Sequence, residues 1–317
     1  MLDYEVDETL FETRADRRRR ARPGAKPKHK PAQVVAELSD RFDASTYEFQ
    51  PTYKSASNDH FEHQWIVDAL SGFYYDKLID DVVRAVRGGK EASVYCCTAH
   101  FSTGVDWLAA KIYRPRMFRS LKNDSLYREG RGLIGEEGKT IKARDKRVAR
   151  AVHNGTRFGQ ELRIGSWIGH EAETLRTLFD AGCDIPRPYA AAGNAIVMEY
   201  VGDDANPAPA LHQVALESHE ARSLFERIIH NVELMLAHHR VHADLSAYNI
   251  LYWDGALRLI DFPQAVDPRE NPHARTLLAR DVERVCRYFG RYGLKEDPAR
   301  LAHSMWTRYM LDAETGG

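Results

Sequence analysis

His242-Ala243-Asp244-Leu245-Ser246-Ala247-Tyr248-Asn249, followed by Ile260-Asp261, holds the residues of this chain best suited to chemistry. One Asp, one Asn and a second Asp stand at the spacing used to move the terminal phosphoryl group of ATP. In that reaction one carboxylate orients the attacking hydroxyl, while an Asn and a second carboxylate hold magnesium against the phosphates. The alternative is an ordinary surface hairpin with a capping Asn and two solvated Asp residues.

The intervening residues favour the chemical reading. Ile250 to Trp253 is one apolar run, Ala256 to Ile260 is another, and Asp254-Gly255 lies between them. Asp-Gly between two such runs signals a two-residue hairpin turn. Trp253 then pairs with Ala256, and Asn249 faces Ile260. Asp261 returns beside Asn249, where two hard oxygen ligands can share one magnesium ion.

The elements that must position this trio are legible along the chain. Val82 to Val86, Ala92 to Cys97, Trp107 to Tyr113 and Ala195 to Val201 read as strands, with a turn at Arg87-Gly88-Gly89-Lys90-Glu91. Phe61 to Tyr75 reads as a short amphipathic helix. A stronger helix is predicted from Ser166 to Ala181, stopping at Gly182, with Glu171 on it. Asn206-Pro207-Ala208-Pro209 is a composition shift and marks a lobe boundary. Ala221, Leu224, Phe225, Ile228, Ile229, Val232 and Met235 mark one buried helix face, with Ser218 as N-cap. Two closing helices are expected within 276–312.

The division expected is a basic tail over 1–60, a first lobe over 61–201 carrying an insertion at 114–165, and a helical second lobe over 202–317. The tail holds Arg17 to Arg20, then Pro23, Pro27 and Pro31, and cannot build a core. Net charge is −1, but segment 13–31 carries nine Arg or Lys against one acidic residue, and segment 114–165 fourteen against six. Such segments suit a polyanion, RNA for example, and equally suit solvated chain. The four cysteines form no Cys-x-x-Cys pair and read as reduced thiols of a cytoplasmic protein. The acidic start is no signal peptide, and no apolar run is long enough for a bilayer.

A strand–turn–strand, a strand lysine, a helix glutamate, a connector strand and then Asp, Asn and Asp is the order of parts in a protein kinase. The chain has no Gly-x-Gly-x-x-Gly after the first strand, no Ala-Pro-Glu after Asp261 and no Walker A sequence. It resembles instead the RIO family of atypical protein kinases, in its first subfamily or bacterial relatives. The resemblance rests on Gly89 to Tyr95, Ala110 to Arg114, Trp167 with Glu171 and Leu175, Val197 to Gly202, Val241 to Asn249, Ile260-Asp261 with Gln264 to Val266, and Pro272 to Ala274.

The resemblance implies an α+β, two-lobed, protein-kinase-like fold without the usual peptide-substrate platform, binding ATP and magnesium (or manganese) between its lobes. It implies that Asp244 orients the attacking hydroxyl, that Asn249 and Asp261 hold the metal, and that Lys111, positioned by Glu171, pairs with the phosphates. Lys90 and Ser93 would contact phosphates, and Met198, Glu199 and Val201 would border the adenine. Asp261 could also take the phosphoryl group itself during an ATPase cycle. Taken singly, Lys111 could reach solvent, Glu171 could be a solvated helix residue, and Lys90 and Ser93 plain turn residues; His242 reads as structural. Two departures stand out: the insertion is long, and Phe262-Pro263 follows Asp261. The function implied is a serine protein kinase or ATPase that phosphorylates itself and acts on ribosomal particles. A small-molecule phosphotransferase of the aminoglycoside or choline kinase type uses the same motif, and a non-catalytic, ATP-switched RNA- or ribosome-binding factor is a third reading.

Overall fold

The computed structural model describes residues 49–54, 60–89, 91–114 and 156–311, with residues 60, 157–164 and 311 described by their backbone. Lys90, segment 13–31 and most of segment 114–165 lie outside the described residues.

The first lobe is one antiparallel sheet of five strands: β1 (Ile79–Gly88), β2 (Ala92–Ala99), β3 (Trp107–Tyr113), β4 (Pro188–Ala192) and β5 (Ala195–Glu199), in the order β1-β2-β3-β5-β4. Helix α1 (His60–Tyr75) covers one face. Ile66, Leu70 and Phe73, at helical spacing, are buried there against Ile79, Val82, Tyr95, Cys97, Leu108, Ala110 and Ile112. Burying a side chain of this size stabilises by roughly 1.5–3 kcal/mol. The period of two then sends Cys96, Ala109, Lys111 and Tyr113 to the opposite face. That face looks into the cleft.

Helix α2 (Arg157–Asp180) starts nine residues before the expected Ser166, so the end of the basic insertion belongs to it. Gly165 lies inside this helix. A glycine inside a helix costs only about 1 kcal/mol, less than the burial of Trp167, Ile168, Leu175 and Leu178 returns. The stop is as expected: Gly182 has φ 79°, and Cys183 N–H donates to Leu178 O at 3.0 Å. Strand β4 was not anticipated. It is an alanine-rich edge strand, and its opening proline is tolerated because an edge needs only one row of partners.

The second lobe is mainly helical: α3 (Ser218–Ala237), the hairpin β6 (Ile250–Trp253) and β7 (Ala256–Leu259), α4 (Ala274–Gly290) and α5 (Pro298–Trp306). Ser218 is the first helical residue of α3 and not its cap. Glu217 precedes the helix, and its N–H donates to Glu220 Oε2 at 3.0 Å. Asp297 caps α5 by accepting from the N–H groups of Ala299 and Arg300. The apolar faces of α2, α3, α4 and the hairpin close one core. The four cysteines are buried free thiols. Among the described residues, no helix is long and apolar enough to cross a membrane.

Candidate active site

The hairpin forms as its spacing predicts. Ile250 pairs with Leu259 and Trp253 with Ala256. Asp254 and Gly255 have φ 47° and 76°, the positive values a tight hairpin turn requires. Ile260 N–H donates to Asn249 O at 3.0 Å, so Asp261 emerges next to Asn249.

Asn249 is buried, and its Nδ2 donates to the backbone oxygen of Asp244 at 2.9 Å and to Asp244 Oδ2 at 3.3 Å. With the amide nitrogen committed to Asp244, the amide oxygen is the atom left for a metal. Asn249 Oδ1 and the Asp261 carboxylate are hard oxygen donors. Two protein donors, with phosphate oxygens and water completing the shell, are the usual complement for Mg2+. Among the described residues, no group of three His, Cys, Asp or Glu is placed to hold a metal alone. The donor set therefore fits a magnesium ion that arrives with phosphate.

Lys111 projects from β3 into a cleft of about 1000 Å³ between the lobes. Its Nζ lies 2.8 Å from Glu171 Oε1 on α2 and 2.7 Å from Asp261 Oδ1. Glu171 is 1% exposed, whereas the Asp261 side chain is about half open, at 47%. Burial works against the Lys111 charge, but Asp261 and Glu171 outweigh it and hold the ammonium above its usual range. Enclosure opposes the Asp261 charge as well, and Lys111 outweighs that and holds its carboxyl below the usual carboxylate range. Burial pushes Glu171 up, with Lys111 pulling it back. One fixed cation thus joins the sheet, α2 and the metal loop, in a place where it would neutralise phosphate oxygens.

His242 is structural. Its Nδ1 accepts the Asp244 N–H at 3.3 Å and its Nε2 donates to Ile260 O at 3.1 Å. An imidazole that accepts at one nitrogen and donates at the other is neutral. Burial lowers its pKa accordingly. It ties the Asp244 loop to the strand end that carries Asp261.

Met198, Glu199 and Val201 line the cleft at the connector between lobes. The Glu199 side chain is already engaged: Oε2 accepts the Arg187 N–H at 3.0 Å, and Arg258 on β7 lies 3.8 Å from Oε1. Met198 packs against the small apolar cluster of Cys96, Ala109 and Tyr200. Ser93 is a correction. It is 3% exposed on β2, on the face shared with Tyr95 and Cys97, and its Oγ accepts from Arg114 Nη2 at 2.8 Å. The strand alternation turns its side chain toward α1 and away from the cleft, which Ala92 and Val94 line in its place.

Several residues of this site had not been singled out from the sequence as site residues. Glu91 lines the cleft near Lys111 and Asp261, and burial, then the Asp261 charge, raise its pKa. Arg87 Nη1 reaches across the cleft to within 3.5 Å of Tyr248 O. From α4, Arg280 Nη2 donates to Ala243 O, Asp281 Oδ1 accepts the Leu245 N–H at 3.1 Å, and Arg284 Nη1 donates to Asp244 Oδ1 at 2.8 Å. Ala243 has φ 66°, an unfavourable value for a residue with a Cβ. The helix grips the carbonyl of that strained residue and the N–H two residues beyond it.

An antiparallel sheet above a helical lobe, with a strand lysine, a helix glutamate and an Asp meeting in the cleft between them, and an Asn paired with a second Asp beside it, defines the protein-kinase-like class. Comparison with known proteins narrows it. A family model described as RIO1, RIO domain, matches residues 135–301. The RIO-type serine/threonine-protein kinase Rio1 of Haloferax volcanii is 32% identical over 275 residues, which cover 84% of this chain and 83% of that protein. The serine/threonine-protein kinase RIO1 of Caenorhabditis elegans is 28% identical over 214 residues, 66% of this chain and 37% of that protein, so the chain spans little more than a third of the length of this relative. The crystal structure of the Rio2 kinase–ADP/Mg2+–phosphoaspartate complex from Chaetomium thermophilum has the same fold, with a TM-score of 0.53 at 20% identity over 86% of this chain and 74% of that one. This chain belongs to the RIO family.

Proposed function

We propose that this protein is an ATP- and magnesium-dependent serine/threonine protein kinase of the RIO type, which phosphorylates itself and acts in part as an ATPase. The observation that carries the reading is the Lys111 ammonium held within 2.8 Å of both Glu171 and Asp261, beside an Asn249 whose amide oxygen is left for a metal. ATP enters with its adenine against Met198, Glu199 and Val201. Lys111 pairs with the phosphates. Asn249 and Asp261 would hold the magnesium, which when bound screens the phosphate charge; manganese fits the same oxygen donors. Asp244 orients the attacking hydroxyl. Lys90, at the turn before β2, contributes a further phosphate contact.

Asp261 has a second role in this reading. A carboxylate can attack phosphorus, and the Rio2 structure of Chaetomium thermophilum is described as an ADP/Mg2+–phosphoaspartate complex. A phosphoryl group taken by Asp261 and then lost to water gives net ATP hydrolysis. The basic segments 13–31 and 114–165 would bring the protein to RNA or a ribosomal particle in the cytoplasm. Salt-sensitive binding to RNA would mark that contact. The Leu-Ser-x-Tyr wording within the motif and the Lys-Glu-Ala-Ser-Val-Tyr turn favour this reading over a small-molecule phosphotransferase.

The test is incubation with radiolabelled ATP and magnesium, with Asp244→Ala and Asp261→Ala in parallel. Label on the wild type that is lost in both variants is expected. Undiminished label on Asp244→Ala removes Asp244 from its role. Base-sensitive label that requires Asp261 supports the phosphoaspartate.

A further inference from the structure

Arg284 has no part in the roles above, yet it makes the one ion pair recorded to Asp244 among the described residues. It sits on α4, forty residues along the chain, and its Nη1 lies 2.8 Å from Asp244 Oδ1. The Arg284 side chain is 34% exposed and that of Asp244 49%. An ion pair this open adds at most about 1 kcal/mol to stability. Its consequence must be sought in geometry.

Asp244 needs such a constraint. Its carboxylate is half open, and an Asp side chain turns about two bonds. The backbone beneath it is fixed from the same helix, through Arg280 on Ala243 O and Asp281 on the Leu245 N–H. Residues 280, 281 and 284 share one helical face. That face therefore engages three successive residues of the loop, 243 by its carbonyl, 245 by its N–H and 244 by its side chain. The Asp244 oxygens differ in their partners: Oδ1 takes the short, charged bond from Arg284, while Oδ2 takes only a 3.3 Å contact from Asn249.

We propose that Arg284 is the positioning residue of the phosphoryl-transfer reaction: it holds Asp244 by Oδ1 and so assigns Oδ2 to the proton of the attacking hydroxyl. This rests on the kinase reading above. Arg284 is not among the residues that line the cleft, so it acts on the transfer step and not on ATP binding. A carboxylate displaced by about 1 Å can lower the rate on the order of 100-fold.

The experiment is a double-mutant cycle on the full chain, measuring autophosphorylation rate against ATP concentration. Arg284→Met is expected to lower kcat by about 10- to 100-fold while KM for ATP stays within about twofold. In an Asp244→Asn background the same change is expected to alter the residual rate by less than about twofold, because the partner it positions is gone. Arg284→Lys, which keeps a cation, is expected to recover part of the loss. Thermal midpoints of all variants and direct ATP binding show that the fold and the nucleotide site are intact. An unchanged kcat in Arg284→Met, a full additional loss in the Asp244→Asn background, or Lys behaving no better than Met would each overturn the assignment. A wild type that transfers no phosphate overturns the kinase reading and this role with it, whereas an active wild type with a silent Arg284→Met overturns the positioning role alone.

Discussion

Lys111 Nζ lies 2.7 Å from Asp261 Oδ1, joining the third strand of the sheet to the loop that leaves the hairpin of the other lobe. The same ammonium holds buried Glu171 at 2.8 Å. Removing it strands a carboxylate that is 1% exposed. Breaking a buried pair by deleting one partner costs about 3–5 kcal/mol. Lys111→Met should therefore lower the urea midpoint sharply and abolish ATP binding. Lys111→Met with Glu171→Gln should recover much of the stability and none of the binding. Equal instability of the single and double variants would show that Glu171 is not stranded.

Gly202 follows the connector residue Val201 with φ 139°. A Cβ there would meet the Asn206 carbonyl oxygen, and Pro207 Cα at 2.9 Å. Both are backbone atoms and cannot move aside as a flexible side chain would. Gly202→Ala is expected to destabilise the protein by about 1–3 kcal/mol and to raise KM for ATP, because Val201 and Pro207 line the cleft on either side of the strained turn. Denaturation and a substrate titration measure the two effects separately.

Asp281 supplies a pH dependence. Burial raises its pKa from 3.8 to about 7. Its Oδ2 has no hydrogen-bond partner, which suits a neutral carboxyl. Between those two values the folded state keeps a proton that the unfolded chain has lost. The contribution of this group is therefore fully present below 3.8 and is lost as pH rises through about 7. Asp281→Asn removes the titration, so the variant should gain on the wild type as pH rises. The gain should be on the order of 2 kcal/mol between about pH 5 and pH 7, read from urea midpoints. A difference that stays constant with pH would refute it.

Ser93 gives a prediction opposite to the one its sequence position suggests. Its Oγ faces away from the cleft and accepts from Arg114. Ser93→Ala should change KM for ATP by less than about twofold and destabilise by about 1 kcal/mol, the net worth of one hydrogen bond. A tenfold rise in KM would return Ser93 to the phosphate site.

Local rules carried as far as the chain itself is local. The Asp254-Gly255 turn sets register without help from the rest of the molecule, because two residues in the left-handed region leave the strands only one way to pair. The approach of Asn249 and Asp261 could therefore be read from spacing alone. Alternation along β3 was equally legible and separates Lys111 from Ala110 and Ile112. The same alternation applies to Ser93 within the strand Ala92 to Cys97, but its phosphate role was carried over from the resemblance without applying it. The start of α2 was placed nine residues late because the clear apolar spacing begins only at Trp167.

What only the tertiary structure decided is which distant groups meet. Glu171 stands sixty residues from Lys111, and Arg284 forty from Asp244. No periodicity links such pairs, since each depends on how α2 and α4 pack against the shared core. The sequence by itself singled out Asp244, Asn249 and Asp261 as the candidate set. The fold decided what holds it: a lysine shared by two carboxylates above, and one face of α4 below, because orienting a charge in an open cleft takes donors from several elements at once.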